Sequence, residues 1–91
     1  MTKEQIIRTI GLDLKRIAHC LLTGGSKRKI DYFVKEISSL MEKRPDNFFP
    51  KKIKPLISMI DFSQLNTLPS REAAENFLTA GSLICSRLTQ I

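Results

Sequence analysis

The chain has 91 residues, enough for one domain with a thin hydrophobic core, and its formal net charge is +6 at pH 7. With five Phe, one Tyr and no Trp, that core must consist mostly of Ile and Leu. No segment is apolar over the roughly 20 residues that a membrane span needs, and the N-terminal residues lack the basic-then-apolar order of a secretory signal, so we expect no membrane association and a cytoplasmic location.

The apolar residues recur mainly at steps of three and four, which is the spacing of amphipathic helices. This pattern predicts an all-α fold, with one helical-bundle domain over residues 1–91. We expect a compact bundle of four helices, at about 3–23, 27–43, 51–61 and 71–89.

The first predicted helix has one apolar stripe: Ile6, Ile10, Leu14, Ile17 and Leu21, flanked by Ile7 and Ala18. Leu12 lies on the polar side of this helix and marks a candidate second contact surface. Gly11 lies in the middle of the helix, where glycine costs up to about 1 kcal/mol relative to alanine. Either close packing or simple tolerance explains its presence.

A short hinge separates the first two helices. Gly24 and Gly25 end the first helix, because glycine readily adopts the left-handed conformation of a helix C-cap, and Ser26 is the predicted N-cap of the second. So short a hinge predicts an antiparallel hairpin. The second helix stops before Pro45, and its apolar residues are Ile30, Phe33, Val34, Ile37, Leu40 and Met41.

The connection between the second and last helices contains apolar residues that we expect to contact the bundle. Phe48 and Phe49 follow a turn and are predicted to close one end of the core. A proline is expected in the first turn of the third helix, where its missing N–H does no harm. Residues 61–69 are predicted to form a loop that lies on the bundle through its apolar side chains, Phe62, Leu65 and Leu68.

The last helix, with Ser70 as its predicted N-cap, differs from the others because residues 76–86 carry no charge. Its polar face has only small hydroxyl side chains: Thr79, Ser82, Ser86 and Thr89. A solvated helix face usually carries charged residues, so we predict that this helix is the most covered element. The four hydroxyl residues are a candidate dimer interface.

Basic residues cluster near the starts of the second and third helices, although a helix N-terminus favours acidic groups. Bound anions would offset this unfavourable placement. In an up-and-down bundle the two clusters lie at opposite ends, on the order of 25 Å apart, which suits a long polyanion or an acidic protein surface. The predicted anion-binding or partner-binding residues are Lys15, Arg16, His19, Lys27, Arg28, Lys29, Lys51, Lys52 and Lys54.

Catalytic and metal-binding patterns are scarce in this sequence. Cys20 and Cys85 stand singly, without the close ligand spacing of a metal site, and are predicted to be apolar core residues. A disulfide between them requires the first and last helices to be neighbours at the same level. No carboxylate pair or activated nucleophile is evident, so we expect neither an enzyme nor a bound metal or cofactor.

The segment from Ala18 to Gly24 resembles the phosphorylated-histidine segment of histidine phosphotransfer domains, which are also helical bundles. The resemblance implies that His19 accepts a phosphoryl group. Two departures weaken the match: Leu22 stands where those domains usually have lysine, and the glycine comes one position late.

Three functional hypotheses follow from the sequence. The first is a small non-catalytic interaction or regulatory module, a homodimer that binds an acidic protein partner through helix faces and basic helix ends. The alternative is sequence-nonspecific nucleic-acid binding through phosphate contacts. The third is histidine phosphotransfer through His19.

Overall fold

A computed structural model describes residues 1–42 and 44–89 of the chain. The helices of this described part are α1 (Lys3–Thr23), α2 (Lys27–Glu42), α3 (Lys54–Ser58), α4 (Gln64–Thr67) and α5 (Ser70–Leu88), together with a 3-10 turn at Asp46–Phe48. The all-α prediction is thus confirmed, with three long helices and two short ones. Within the described ranges, no helix has both the length and the apolar character needed to cross a membrane.

Helix α1 lies between α2 and α5 and packs most extensively against α5. Nine residues of α1 are buried, compared with six of α5. The prediction that the last helix is the most covered element is therefore wrong for the single chain. Because α1 has a helix on each of two sides, it buries residues beyond its predicted stripe, whereas α5 leaves its hydroxyl face exposed.

Two glycines allow α1 and α5 to approach closely where they cross. A Cβ atom added to Gly81 would lie 2.6 Å from the carbonyl oxygen of Gly11, and one added to Gly11 would lie 2.7 Å from Sγ of Cys85. Since real Cβ atoms almost never approach so closely, close packing explains the mid-helix Gly11. Pairing of Gly11 with Cys85 and of Lys15 with Gly81 makes the two helices antiparallel.

The glycine hinge has the predicted geometry. Gly24 adopts a left-handed conformation with φ of 71° and caps α1, and its N–H donates to the carbonyl oxygen of Cys20. At the start of α2, Oγ of Ser26 accepts a hydrogen bond of 3.3 Å from the N–H of Lys29. The second helix was predicted to reach residue 43, but Lys43 lies outside the described residues, and α2 is described over Lys27–Glu42.

The connection from α2 to α5 begins with the predicted aromatic plug. The rings of Phe48 and Phe49 meet edge to face, with centroids 5.2 Å apart, and both pack against the core. The cationic groups of Lys3 and Arg44 lie 5.1 Å and 5.3 Å from the centroid of the Phe48 ring. Phe48 therefore connects the start of α1 to the segment that follows α2.

Helix α3 is shorter than the predicted 51–61. Pro55 has no N–H to donate to the carbonyl of Lys51, so residues 51–53 form a turn and the α-helix begins at Lys54, with Pro55 in its first turn as expected. The predicted loop at 61–69 does lie on the core through its apolar side chains. It also contains α4, which is held to α5 by a 2.7 Å hydrogen bond from Nδ2 of Asn76 to Oε1 of Gln64.

The predicted N-cap of the last helix is wrong. Pro69 occupies the cap position, and Ser70 is already the first helical residue. The cap position has no side-chain hydrogen bond to the helix. A residue inside the first turn no longer has the extended backbone that directs a cap hydroxyl toward the free N–H groups.

Candidate partner-binding groove

Six of the predicted binding residues lie near the glycine hinge, and the structure divides them between two surfaces: Lys15, Arg16, His19, Lys27, Arg28 and Lys29. Four of them line a groove between α1 and α2: Lys15, Arg16, His19 and Lys29. Lys27 and Arg28 line a different depression, beside Tyr32 and Lys35. The division follows from helical geometry, because adjacent residues of α2 point about 100° apart.

We call the first surface the basic groove. Its lining combines the four basic residues with the apolar side chains of Leu12, Cys20 and Phe33. Leu12, the candidate second contact residue, is 36% exposed. The groove therefore offers positive charge and apolar surface to the same ligand.

Arg16 is anchored on both sides. Its Nη1 donates a 2.7 Å hydrogen bond to Oδ1 of Asp13, and its guanidinium carbon lies 5.8 Å from the centroid of the Phe33 ring. The Arg16 side chain is still 52% exposed, so it faces the groove while it contacts both helices. These contacts orient the guanidinium before any ligand binds.

Asp13 is a residue of this site that the sequence reasoning missed. Its side chain is completely buried, and its Oδ2 has no hydrogen-bond partner among the described residues. Burial, followed by the neighbouring carboxyl group of Glu36, raises the pKa of Asp13 to about 7, although Arg16 acts in the opposite direction. Asp13 therefore keeps its proton to a higher pH than an ordinary carboxyl group does.

A sequence signal for Asp13 was present. Asp13 follows Ile10 by three positions and precedes Ile17 by four, so it lies on the apolar stripe of α1. A charged residue on such a stripe, with Arg16 three positions later, indicates a buried ion pair. The proximity of Glu36 to Asp13 cannot be predicted from sequence spacing, because Glu36 is distant in sequence and only the hairpin of α1 and α2 brings it close.

Glu36 connects the buried carboxyl group to the surface of α2. Its Oε2 accepts a 3.4 Å hydrogen bond from the hydroxyl of Tyr32. Two ionised carboxylates are both acceptors, so Asp13 and Glu36 have no hydrogen bond to each other until one of them carries a proton.

The predicted second basic cluster lies away from the basic groove. Lys51, Lys52 and Lys54 are exposed, before and at the start of α3. The carbonyl oxygen of Lys52 accepts a 2.7 Å hydrogen bond from Nη1 of Arg87, which fixes this segment beside the last turn of α5. The antiparallel packing of α1 and α5 places that turn at the end opposite the glycine hinge.

The four candidate dimer residues, Thr79, Ser82, Ser86 and Thr89, are all exposed along α5. Thr79 and Leu83 also line a shallow depression beside Met59. Leu83 is 38% exposed. The four hydroxyl residues are thus exposed in the single chain, and dimerisation remains a prediction.

The two cysteines are free thiols. α1 and α5 are neighbours, but Cys20 lies beside Gly25 whereas Cys85 lies beside Gly11, at a different level of the bundle. Nine positions along α1 separate those levels, or about 13 Å at the helical rise, which is too far for a disulfide. Within the described residues, no three His, Cys, Asp or Glu side chains form a group that could hold a metal ion.

His19 is exposed near the end of α1, and its carbonyl oxygen accepts a 2.8 Å hydrogen bond from the hydroxyl of Thr23. It lines the basic groove together with Lys15, Arg16 and Lys29, and the phosphotransfer hypothesis remains a prediction. Comparisons of the chain with protein-family models, curated proteins and solved structures found no match.

Proposed function

We propose that the protein is a small non-catalytic interaction module whose basic groove binds an acidic segment of a partner protein. The observation that supports this proposal is the lining of the groove, which combines four basic side chains with an apolar floor of Leu12, Cys20 and Phe33. A partner segment that presents both carboxylates and apolar side chains satisfies both components.

The same lining favours a peptide over a nucleic-acid backbone as the ligand of this groove. Phosphate contacts require positive charge but gain little from an apolar floor. Leu12 and Phe33 supply such a floor, and Arg16 is held in position over the Phe33 ring. Arginine combined with an aromatic residue is typical of the side chains that dominate protein interfaces.

The test uses a defined ligand, a fluorescent synthetic peptide that presents glutamates on one helical face and leucines on the other. We expect this acidic probe peptide to bind the wild-type protein and the double variant Lys15→Glu/Lys29→Glu to bind it at least about tenfold more weakly. Fluorescence anisotropy measures both affinities.

The chain offers a matched control for this experiment. Lys51→Glu/Lys52→Glu changes the net charge by the same amount but lies outside the groove. We expect this variant to bind the acidic probe peptide nearly as well as the wild type does. An equal loss in the two variants would show that only net charge matters and would contradict a specific groove.

A second candidate, nucleic-acid binding, is favoured by a different surface. Tyr32 is 60% exposed and lines a depression with three basic residues, Lys27, Arg28 and Lys35, and one acidic residue, Asp31. An exposed aromatic ring among basic residues is typical of single-strand binding sites. This function predicts oligonucleotide affinity that falls steeply with salt and is lost when Lys27, Arg28 and Lys35 are replaced together. Oligonucleotide binding that does not depend on salt would contradict it.

Two further parts of the proposal concern the whole protein. We propose that it forms a homodimer through the exposed hydroxyl face of α5, supported by the absence of charge along that face. The cytoplasmic location predicted from the sequence also belongs to this proposal.

A further inference from the structure

Asp13, Glu36 and Arg16 form a cluster beside the basic groove. The buried Oδ1 of Asp13 binds Arg16 at 2.7 Å, while Oδ2 is buried without a hydrogen-bond partner among the described residues. Arg16 is the member of the cluster that lines the groove. A change in the charge of Asp13 therefore affects the surface of the groove through the Arg16 side chain.

Two charged groups act on Asp13 in this packing. Arg16 comes from its own helix, and Glu36 comes from α2, which packs against it. Burial and Glu36 raise the pKa of Asp13 to about 7, while Arg16 lowers it. No charged group of α3, α4 or α5, over the residues the structure describes, contributes to this shift.

The state of one proton changes the charge of the cluster. When Asp13 and Glu36 are both ionised, two carboxylates repel each other and the carboxylate of Asp13 offsets the charge of Arg16. When one proton lies between the two carboxyl groups, Oδ2 of Asp13 gains a hydrogen-bond partner. The positive charge of Arg16 is then less compensated at the groove.

We propose that the Asp13–Glu36 carboxyl pair regulates the basic groove, so that an acidic partner binds together with one proton and binds more tightly as the pH falls. This inference rests on the proposed function, because it concerns the same groove. By linkage, an anionic ligand at Arg16 favours the protonated pair just as protonation favours the ligand.

His19 also lines the groove, and histidine is the residue type whose charge ordinarily changes between pH 5 and 8. An experiment must therefore separate the carboxyl pair from the histidine. The separation is straightforward because the carboxyl pair is removed by Asp13→Asn and the imidazole by His19→Gln.

The experiment measures binding of the acidic probe peptide at about pH 6 and about pH 8 for the wild type and both variants. We expect the wild type and His19→Gln to bind the acidic probe peptide roughly fivefold more tightly at the lower pH. Asp13→Asn should lose most of this difference, because its side chain has no proton to gain. Calorimetry in buffers of different ionisation enthalpy counts the proton taken up.

Glu36→Gln provides a second variant that keeps the ion pair between Asp13 and Arg16. Without the neighbouring carboxyl group the pKa of Asp13 falls, so the pH at which affinity changes should move downward. Circular dichroism establishes that each variant is folded. If Asp13→Asn does not fold, the shift in Glu36→Gln decides the question.

The possible outcomes separate this inference from the proposed function. The role of the carboxyl pair is overturned if Asp13→Asn keeps the full pH dependence of the wild type, or if the pH dependence disappears in His19→Gln, while the groove remains a binding site in both cases. An unshifted pH dependence in Glu36→Gln overturns it as well. Failure of the probe peptide to bind at either pH contradicts the proposed function itself.

Discussion

The side chain of Asp13 is fully buried, whereas that of its ion-pair partner Arg16 is about half exposed. This asymmetry matters because the buried partner loses its hydration while the exposed one keeps much of it. The cost of ionising Asp13 is therefore not recovered by one hydrogen bond to Arg16, and the pKa rises. A buried carboxyl group of this kind is a stability determinant as well as a candidate regulator.

This pKa predicts how stability depends on pH. Between the ordinary carboxyl pKa of 3.8 and the folded value of about 7, the folded protein holds a proton that the unfolded chain has lost. The stabilising contribution of protonated Asp13 is complete below about pH 4 and is lost as the pH rises through about 7, at up to ~1.4 kcal/mol per pH unit. Asp13→Asn should flatten this slope in urea denaturation curves recorded across the range.

Asp61 supplies the matched control. It is fully exposed, and hydrogen bonds from the hydroxyl and the backbone N–H of Ser63 lower its pKa. Ionised Asp61 therefore stabilises the folded protein at pH values above the ordinary carboxyl pKa, and this stabilisation is lost as the pH falls. The pH dependence is opposite to that of Asp13. Asp61→Asn should leave the slope between about pH 4 and 7 intact, and equal slopes in Asp13→Asn and the wild type would contradict the assignment.

At the scale of elements, the crossing of α1 and α5 sets the architecture. The two helices meet through Gly11 and Gly81, so their backbones are in contact rather than separated by side chains. Close contact places the apolar stripes of both helices in one core, with Phe77 and Ile84 of α5 buried beside the isoleucines of α1. Helix α2 is more peripheral, with Ile37 as its buried residue.

Gly81→Ala tests this crossing. The added methyl group would lie 2.6 Å from a backbone oxygen, which moves only if the helices separate. We expect a loss of about 1 to 3 kcal/mol in the free energy of unfolding, despite the better helix propensity of alanine. Thermal or urea denaturation measures the change.

Ser82→Ala is the control, because Ser82 is the next residue of α5 and is exposed. Its substitution should change the free energy of unfolding by no more than about 0.5 kcal/mol. A Gly81→Ala variant as stable as the wild type would show that the two helices do not approach as closely as described.

For the whole molecule, the distribution of charge limits how copies can associate. Two chains with a net charge of +6 repel each other, and the exposed hydroxyl residues of α5 add no charge of their own to a contact. We expect a dimer at micromolar concentration in sedimentation equilibrium. Ser82→Lys should dissociate it, because the substitution places a like charge on each side of the interface.

Ser39→Lys is the corresponding control, since Ser39 is exposed on α2 and adds the same charge away from α5. It should leave the dimer intact. A wild-type protein that sediments as a monomer throughout, or equal dissociation by both substitutions, would contradict an interface on α5.

The sequence determined the features that depend on contiguous residues. The 3.6-residue period predicted α1, α2 and α5, and the left-handed preference of glycine predicted the turn at Gly24. The short helices α3 and α4 were less predictable, because helices of four or five residues depend on tertiary contacts, such as that between Gln64 and Asn76.

Contacts between the helices determine which helix is central and which polar residues meet. Lys15, Arg16, His19 and Lys29 were predicted as binding residues, but the pairing of α1 with α2 puts these four in one groove and leaves Lys27 and Arg28 outside it. The position of Asp13 on an apolar stripe is local information. The environment of Asp13 depends on tertiary structure, because the Glu36 carboxyl group that helps to raise its pKa belongs to the other helix of the hairpin. Burial and electrostatic interactions depend on neighbours in space.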